Sequence, residues 1–142
     1  MTVRDWSLHE IAEGTTAHFE RSIEERDIDA FARLSGDVSP LHVDAGYARE
    51  AGFRDRVVHG ALLAALASRL IGTELPGRRA LLLSLRLDFP APTFVGDVLD
   101  VTGTVSAVHE PQQAIQVRLV IRCGEEVRAR GSALVRLRDA AS

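Results

Sequence analysis

Between residues 59 and 71 the chain carries a single charge, Arg69, in a run that is otherwise small or apolar. On a 3.6-residue period Leu62, Leu63, Leu66 and Leu70 gather on one bulky side, and Gly60, Ala61, Ala64, Ala65, Ala67 and Ser68 on a small-residue side. Both sides are apolar, and a helix apolar all round is normally buried on all sides. Gly72 and then Pro76-Gly77 end it. Whatever else this chain forms must therefore wrap a helix over residues 59–71.

Beyond that run the period changes from 3.6 to two. Residues 81–89, 98–109, 114–123 and 127–137 alternate as strands do, with Pro90 and Pro92, Glu110-Pro111 and Gly124-Glu125 as breaks. Upstream, residues 16–23 alternate as a strand through Ala17, Phe19, Arg21 and Ile23. A short helix is expected over 27–34, capped by Asp27, and another over 44–51, capped by Asp44 and stopped by Gly52. One strand, a helical excursion, a central helix and four long strands make an α+β pattern: an antiparallel sheet around one buried helix. No linker, repeat or low-complexity tract divides residues 1–142, so a single domain is expected. A small sheet curved around one helix leaves an edge strand, and pairing with a second copy would satisfy it. A homodimer is expected.

Composition narrows the function classes. A net charge of −3 with no basic stripe gives no electrostatic footprint for nucleic acid. No apolar run approaches the roughly 18 residues that span a bilayer, and residues 1–13 carry no signal-peptide core, so a cytoplasmic location is expected. All 17 basic residues are Arg, which excludes lysine Schiff-base chemistry and a P-loop lysine. The lone Cys123 alternates in phase with Ile115, Val117, Leu119 and Ile121 and reads as a strand position facing the core. It excludes an internal disulfide and a multi-cysteine zinc site.

The chemistry-bearing residues cluster ahead of the central helix. Asp37 and His42 lie five apart with Pro40 between them, so the segment is not one regular helix. A carboxylate and an imidazole on a stiff, kinked loop suit proton transfer. Val57-Val58-His59-Gly60 then opens the helix, whose first amides are free to receive negative charge. An acid/base pair beside a potential oxyanion site points to chemistry on a carbonyl compound. No metal is expected: His42 and Asp44 offer two ligands, with no His-x-x-x-His or carboxylate cluster to complete a set. No Gly-x-Ser-x-Gly elbow supports a serine hydrolase.

Asp37, Pro40, His42, Asp44, Val57, Val58, His59 and Gly60, followed by Leu75-Pro76-Gly77, Phe89, Pro92 and Val95-Gly96-Asp97, resemble the MaoC-like, R-specific enoyl-CoA hydratases of the hot-dog fold. The resemblance runs from about Gly14 to Leu137. It departs at Ser39, where the family usually has Asn, and at Ala61, where it often has Met. It implies reversible hydration of a trans-2-enoyl thioester to the (R)-3-hydroxyacyl thioester without a cofactor, within fatty acid metabolism. Asp37 and His42 would handle the protons, the Gly60 amide would face the thioester oxygen, and Ser68 would serve an accessory role toward the substrate. The substrate is carried by coenzyme A or by an acyl carrier protein. A carrier-protein dehydratase, a hot-dog thioesterase and a non-catalytic acyl-thioester binding protein are the alternatives; the presence of both Asp37 and His42 favours hydration. The small-residue face of the helix offers room for an acyl chain of six to ten carbons.

Other residues read more plainly. His59 caps or packs at the helix start, Asp44 caps, and His9, His18 and His109 lie on the surface. Arg78 and Arg79 form a solvated turn, with a coenzyme A phosphate as the other reading.

Overall fold

The computed structural model describes residues 2–139. Five strands, β1 (Thr16–Ser22), β2 (Ala80–Asp88), β3 (Val98–His109), β4 (Ala114–Cys123) and β5 (Glu126–Leu137), form one antiparallel sheet in the order β1-β3-β4-β5-β2. The expected strand positions hold to within a residue or two. Between β1 and β2 the chain makes four helices: α1 (Glu25–Ser35), α2 (Pro40–Val43), α3 (Ala45–Glu50) and α4 (Gly60–Arg69). A π-helical turn, Leu70–Glu74, continues α4.

The sheet curls around α4. Leu62, Leu63, Leu66 and Leu70 are buried against inward residues of the strands, among them Val101, Val105, Val117, Leu119 and Val135. Alternation puts these on one face, and each fully buried aliphatic side chain is worth about 1.5–3 kcal/mol. Contact is closest at Gly103 of β3, where a Cβ would lie 2.3 Å from Leu70 Cδ2. A side chain there would force the Leu70 side chain to shift. This is the hot-dog arrangement, a sheet wrapped around a central helix.

The local starts and stops follow from the residues. Glu24 and Asp27 form a reciprocal capping box for α1, so Asp27 is the third helical residue and not the cap expected of it. Gly36 closes the helix in the left-handed conformation, φ 77°, its amide donating to Ala32. Pro40 occupies the first turn of α2, where a missing amide costs nothing. Asp44 caps α3 as expected, accepting from the Tyr47 amide at 3.0 Å.

A further expectation fails. Ala61, Ala65 and Ser68 are exposed and Ala64 is half-buried, so α4 is covered on its bulky side and open along these residues, while Ala67, grouped with them by period, is buried with the leucines. Five strands of one chain reach around only part of the helix, and periodicity reports apolarity, not what covers it. Cys123 is half-buried at the end of β4. His18 stands on the surface 3.3 Å from Asp100 and Arg78 is exposed, as expected, whereas Arg79 is half-buried and donates to Asp5 and is not part of a solvated turn. Among the described residues no helix is long and apolar enough to cross a membrane.

The segment between α3 and α4 is tied to the sheet by charge. Asp97, before β3, is buried and accepts from Arg128 Nη1 at 2.6 Å, from the Phe94 amide at 2.9 Å and from Arg54. Burial by itself raises the Asp97 pKa, but the Phe94 amide and the two guanidinium groups together outweigh it and hold the carboxyl below its ordinary range. A carboxyl depressed in the folded state stabilises above its unfolded pKa and loses that contribution as pH falls through the folded value. Asp97→Asn should lower stability at neutral pH by about 3 kcal/mol, the scale of an uncompensated buried charge. It should also flatten the loss of stability below about pH 4; urea unfolding across pH reads both.

Candidate active site

Asp37 and His42 come together as their spacing suggests. Gly36 turns the chain off α1, and Pro40 begins α2 so that His42 points back toward Asp37, with His42 Nε2 3.8 Å from Asp37 Oδ2. The carboxylate is half exposed and the imidazole largely covered, at 51% and 16%. Asp37 Oδ1 accepts from the Ser39 backbone amide at 3.2 Å, and the Asp37 amide donates to Ser35 Oγ at 3.1 Å. Serine in place of the usual Asn at position 39 therefore leaves this support in place, because the donor is the main chain.

His42 is held from the far side by residues 56–57. Its Nδ1 lies 2.7 Å from the Val57 carbonyl. A carbonyl only accepts, so Nδ1 carries the proton and Nε2 of the neutral ring presents a lone pair toward Asp37. The Val57 amide in turn donates to the Leu41 carbonyl at 3.1 Å. Val57 also bridges to Phe94, and the Val58 amide donates to Thr93, so the loop is pinned to the chain ahead of β3.

His59 does more than cap or pack. It is 1% exposed, its ring stacks on His42 at 3.9 Å between centroids and 24° between planes, and Phe31 of α1 covers its other side at 4.9 Å. Its Nε2 donates to the Asp37 carbonyl at 3.0 Å, while Nδ1 is buried without a partner. One ring thus fixes the main chain of Asp37 and the ring plane of His42. Asp37, His42 and His59 place ligand-type atoms within 4.8 Å of one another, a different set from the His42 and Asp44 considered from the sequence. His59 Nε2 donates to the Asp37 carbonyl and His42 Nδ1 to that of Val57, which fixes both rings and leaves His42 Nε2 facing Asp37 Oδ2.

Gly60, the first residue of α4, shares a cavity of about 380 Å³ with His42, Val57, Leu63, Phe89 and Thr93. A Cβ on Gly60 would lie 3.2 Å from the Phe89 ring, so glycine keeps the helix start approachable beside it. The first amides of α4 have no helical acceptor and lie at the positive end of its dipole. The structure therefore brings His42 and Gly60 to one cavity, with Asp37 beside His42 but not in its lining. Ser68 lies two turns along α4 on the exposed face and does not line this cavity. A second cleft of about 370 Å³ runs between α1 and α4, bordered by Phe31, Leu62, Ala65 and Arg69.

The MaoC like domain matches this chain over residues 8–126. The chain belongs to the MaoC-like family. It is 36% identical over 138 residues to an (R)-specific enoyl-CoA hydratase of Rhodospirillum rubrum, covering 95% of this chain and 96% of that protein. It is 35% identical over 133 residues to an (R)-specific enoyl-CoA hydratase of Aeromonas caviae, covering 92% of this chain and 98% of that one. Among solved structures it is similar to an unliganded R-hydratase from Pseudomonas aeruginosa, with a TM-score of 0.91, 33% identity, and coverage of 96% and 88%. The hot-dog fold and the family are those the motif from Asp37 to Gly60 implies.

Proposed function

We propose that this chain is a lyase that adds water reversibly to trans-2-enoyl-CoA to give (R)-3-hydroxyacyl-CoA, with Asp37 and His42 as its acid/base pair. The observation that carries the reading is the 3.8 Å gap between His42 Nε2 and Asp37 Oδ2 beside the N-terminus of α4, in a chain of this family. The gap is too long for a direct hydrogen bond but suits a substrate water that donates one proton to each acceptor. The water oxygen forms its bond to C3 as the pair takes its proton, and C2 receives a proton from the same pair. In between, negative charge gathers on the thioester oxygen, which the Gly60 amide and the α4 dipole are placed to receive. Gly60 is thus a substrate-binding residue, and Ser68 an accessory one on the open face of α4. No cofactor enters this scheme. Asp37→Asn and His42→Ala should each lower turnover by at least about 10²-fold with the fold intact, and Ser68→Ala far less. The loss of enoyl absorbance with purified protein is the assay, and near wild-type turnover in either loop variant refutes the assignment.

The active unit is a homodimer of single-domain chains. β1 and β2 are the two sheet edges, and they differ. β1 exposes His18 and Glu20, which discourages pairing, whereas β2 exposes Leu81, Leu82 and Leu83. A second copy laid along β2 would extend the sheet and shelter these leucines. Light scattering at micromolar concentration should give twice the 15.5 kDa chain mass, and Leu83→Glu should shift it toward one.

The acyl chain is assigned to the open face of α4, where Ala61, Ala64 and Ala65 present nothing larger than a methyl and the second cleft opens beside Ala65. Each methylene buried there is worth about 0.8 kcal/mol, or roughly fourfold in affinity. Enoyl-CoAs of six to ten carbons should therefore exceed the four-carbon one in kcat/KM, and Ala64→Leu should reverse the order. A four-carbon preference unchanged by Ala64→Leu would exclude this path. The absence of an α-helical membrane span among the described residues supports a cytoplasmic setting, and acyl-CoA chemistry supports a place in fatty acid metabolism.

A further inference from the structure

The least expected charge near the site is Arg56, which is 7% exposed. Its Nε donates to the His42 carbonyl at 2.6 Å, and its Nη2 reaches Asp29 of α1. His42 lies in a single-turn helix, whose last carbonyls have no acceptor role inside it. Arg56 supplies a charged donor to that carbonyl, stronger than a neutral one. The carbonyl of the next residue, Val57, accepts from His42 Nδ1, and its amide donates to the Leu41 carbonyl. Residues 56 and 57 thus grip His42 at both ends, main chain and ring. Asp29 orients the guanidinium from α1, the same helix whose Phe31 backs His59.

We propose that Arg56 is a positioning residue for His42, fixing the direction of Nε2 toward Asp37 through the His42 carbonyl, with Asp29 holding Arg56 in place. The inference rests on the hydration reading above. It concerns turnover and not binding, since Arg56 touches neither the cavity at Gly60 nor the open face of α4. Arg56→Ala should lower kcat by about 10²-fold, the scale of an ångström-sized misplacement, with KM changed by no more than about twofold. Guanidinium at millimolar concentration should recover part of that loss by re-occupying the donor position. Arg56→Lys, which keeps the charge but not the fork, should remain folded and still lose turnover. Asp29→Asn should cost only a few-fold, because Asp29 is more than half exposed. Arg26→Met, which removes an exposed arginine of α1 paired with Glu24, should leave kcat unchanged.

Wild-type kcat in folded Arg56→Ala or Arg56→Lys overturns the proposal. So does a loss confined to KM, or a loss of kcat that guanidinium does not touch. Should Arg56→Ala fail to fold, Arg56→Lys and Asp29→Asn decide by the same readout. Asp37→Asn and His42→Ala assayed alongside separate the two levels: activity retained in those variants removes the hydration reading itself. Activity lost there and kept at position 56 removes only the role of Arg56.

Discussion

The bulky face of α4 is the surface on which the rest of the molecule is assembled. Leu62, Leu63, Leu66 and Leu70 fit the concave side of the sheet so closely that a Cβ on Gly103 would meet the Leu70 side chain at 2.3 Å. Burial on this scale fixes the helix axis against the strands, and with it the position of the first α4 amides. A site that stabilises developing charge needs donors that do not move, and here they belong to the most deeply anchored element. The chemistry-bearing residues all lie in the excursion that leads into this helix.

That excursion lacks a core of its own, so polar contacts hold it. α2 is a single turn and α3 little longer, and neither would persist alone. Val57 bonds to Leu41 and His42, and the Val58 amide to Thr93; Arg56 spans from His42 to Asp29; Arg54 meets Asp97, which Arg128 of β5 also binds. Of these ion pairs only Asp97–Arg128 is buried on both sides; Arg56 and Asp97 are buried ends whose other partners, Asp29 and Arg54, are more than half exposed. His59 completes the set by bonding to the main chain of Asp37 while stacking on the ring of His42.

The sequence made part of this legible for physical reasons. Asp37, Pro40, His42 and Gly60 could be read because proline and glycine restrict or free the backbone locally, and the spacing places a carboxylate, an imidazole and a helix start together. The strands were legible because alternation needs no knowledge of the partner strand. Arg56 was not, because an arginine in a polar stretch reads as solvated, and only the docking of α1, through Asp29, buries it. His59 was read as a cap or packing residue, and no local pattern signals that its ring reaches back to Asp37. Ser68 was grouped with the site by resemblance, whereas two turns of helix separate it from the cavity that Gly60 lines.

The open face of α4 is where two demands meet. Apolar surface along Ala61, Ala64 and Ala65, together with Leu81, Leu82 and Leu83 on the β2 edge, is costly to leave in water. A second copy can cover the strand edge by adding main-chain hydrogen bonds, but a helix face of alanines offers it little to grip. Such a face is better suited to a narrow apolar ligand, which needs depth and a smooth wall more than interlocking side chains. On the reading proposed above, the β2 edge would carry assembly and the α4 face the acyl chain. Asp37 is half exposed in the single chain, and the same covering would draw it out of bulk water without touching its hydrogen bonds to Ser35 and Ser39. Assembly and catalysis would then share one cause, because closing the dimer would also dry the site in which the proton moves.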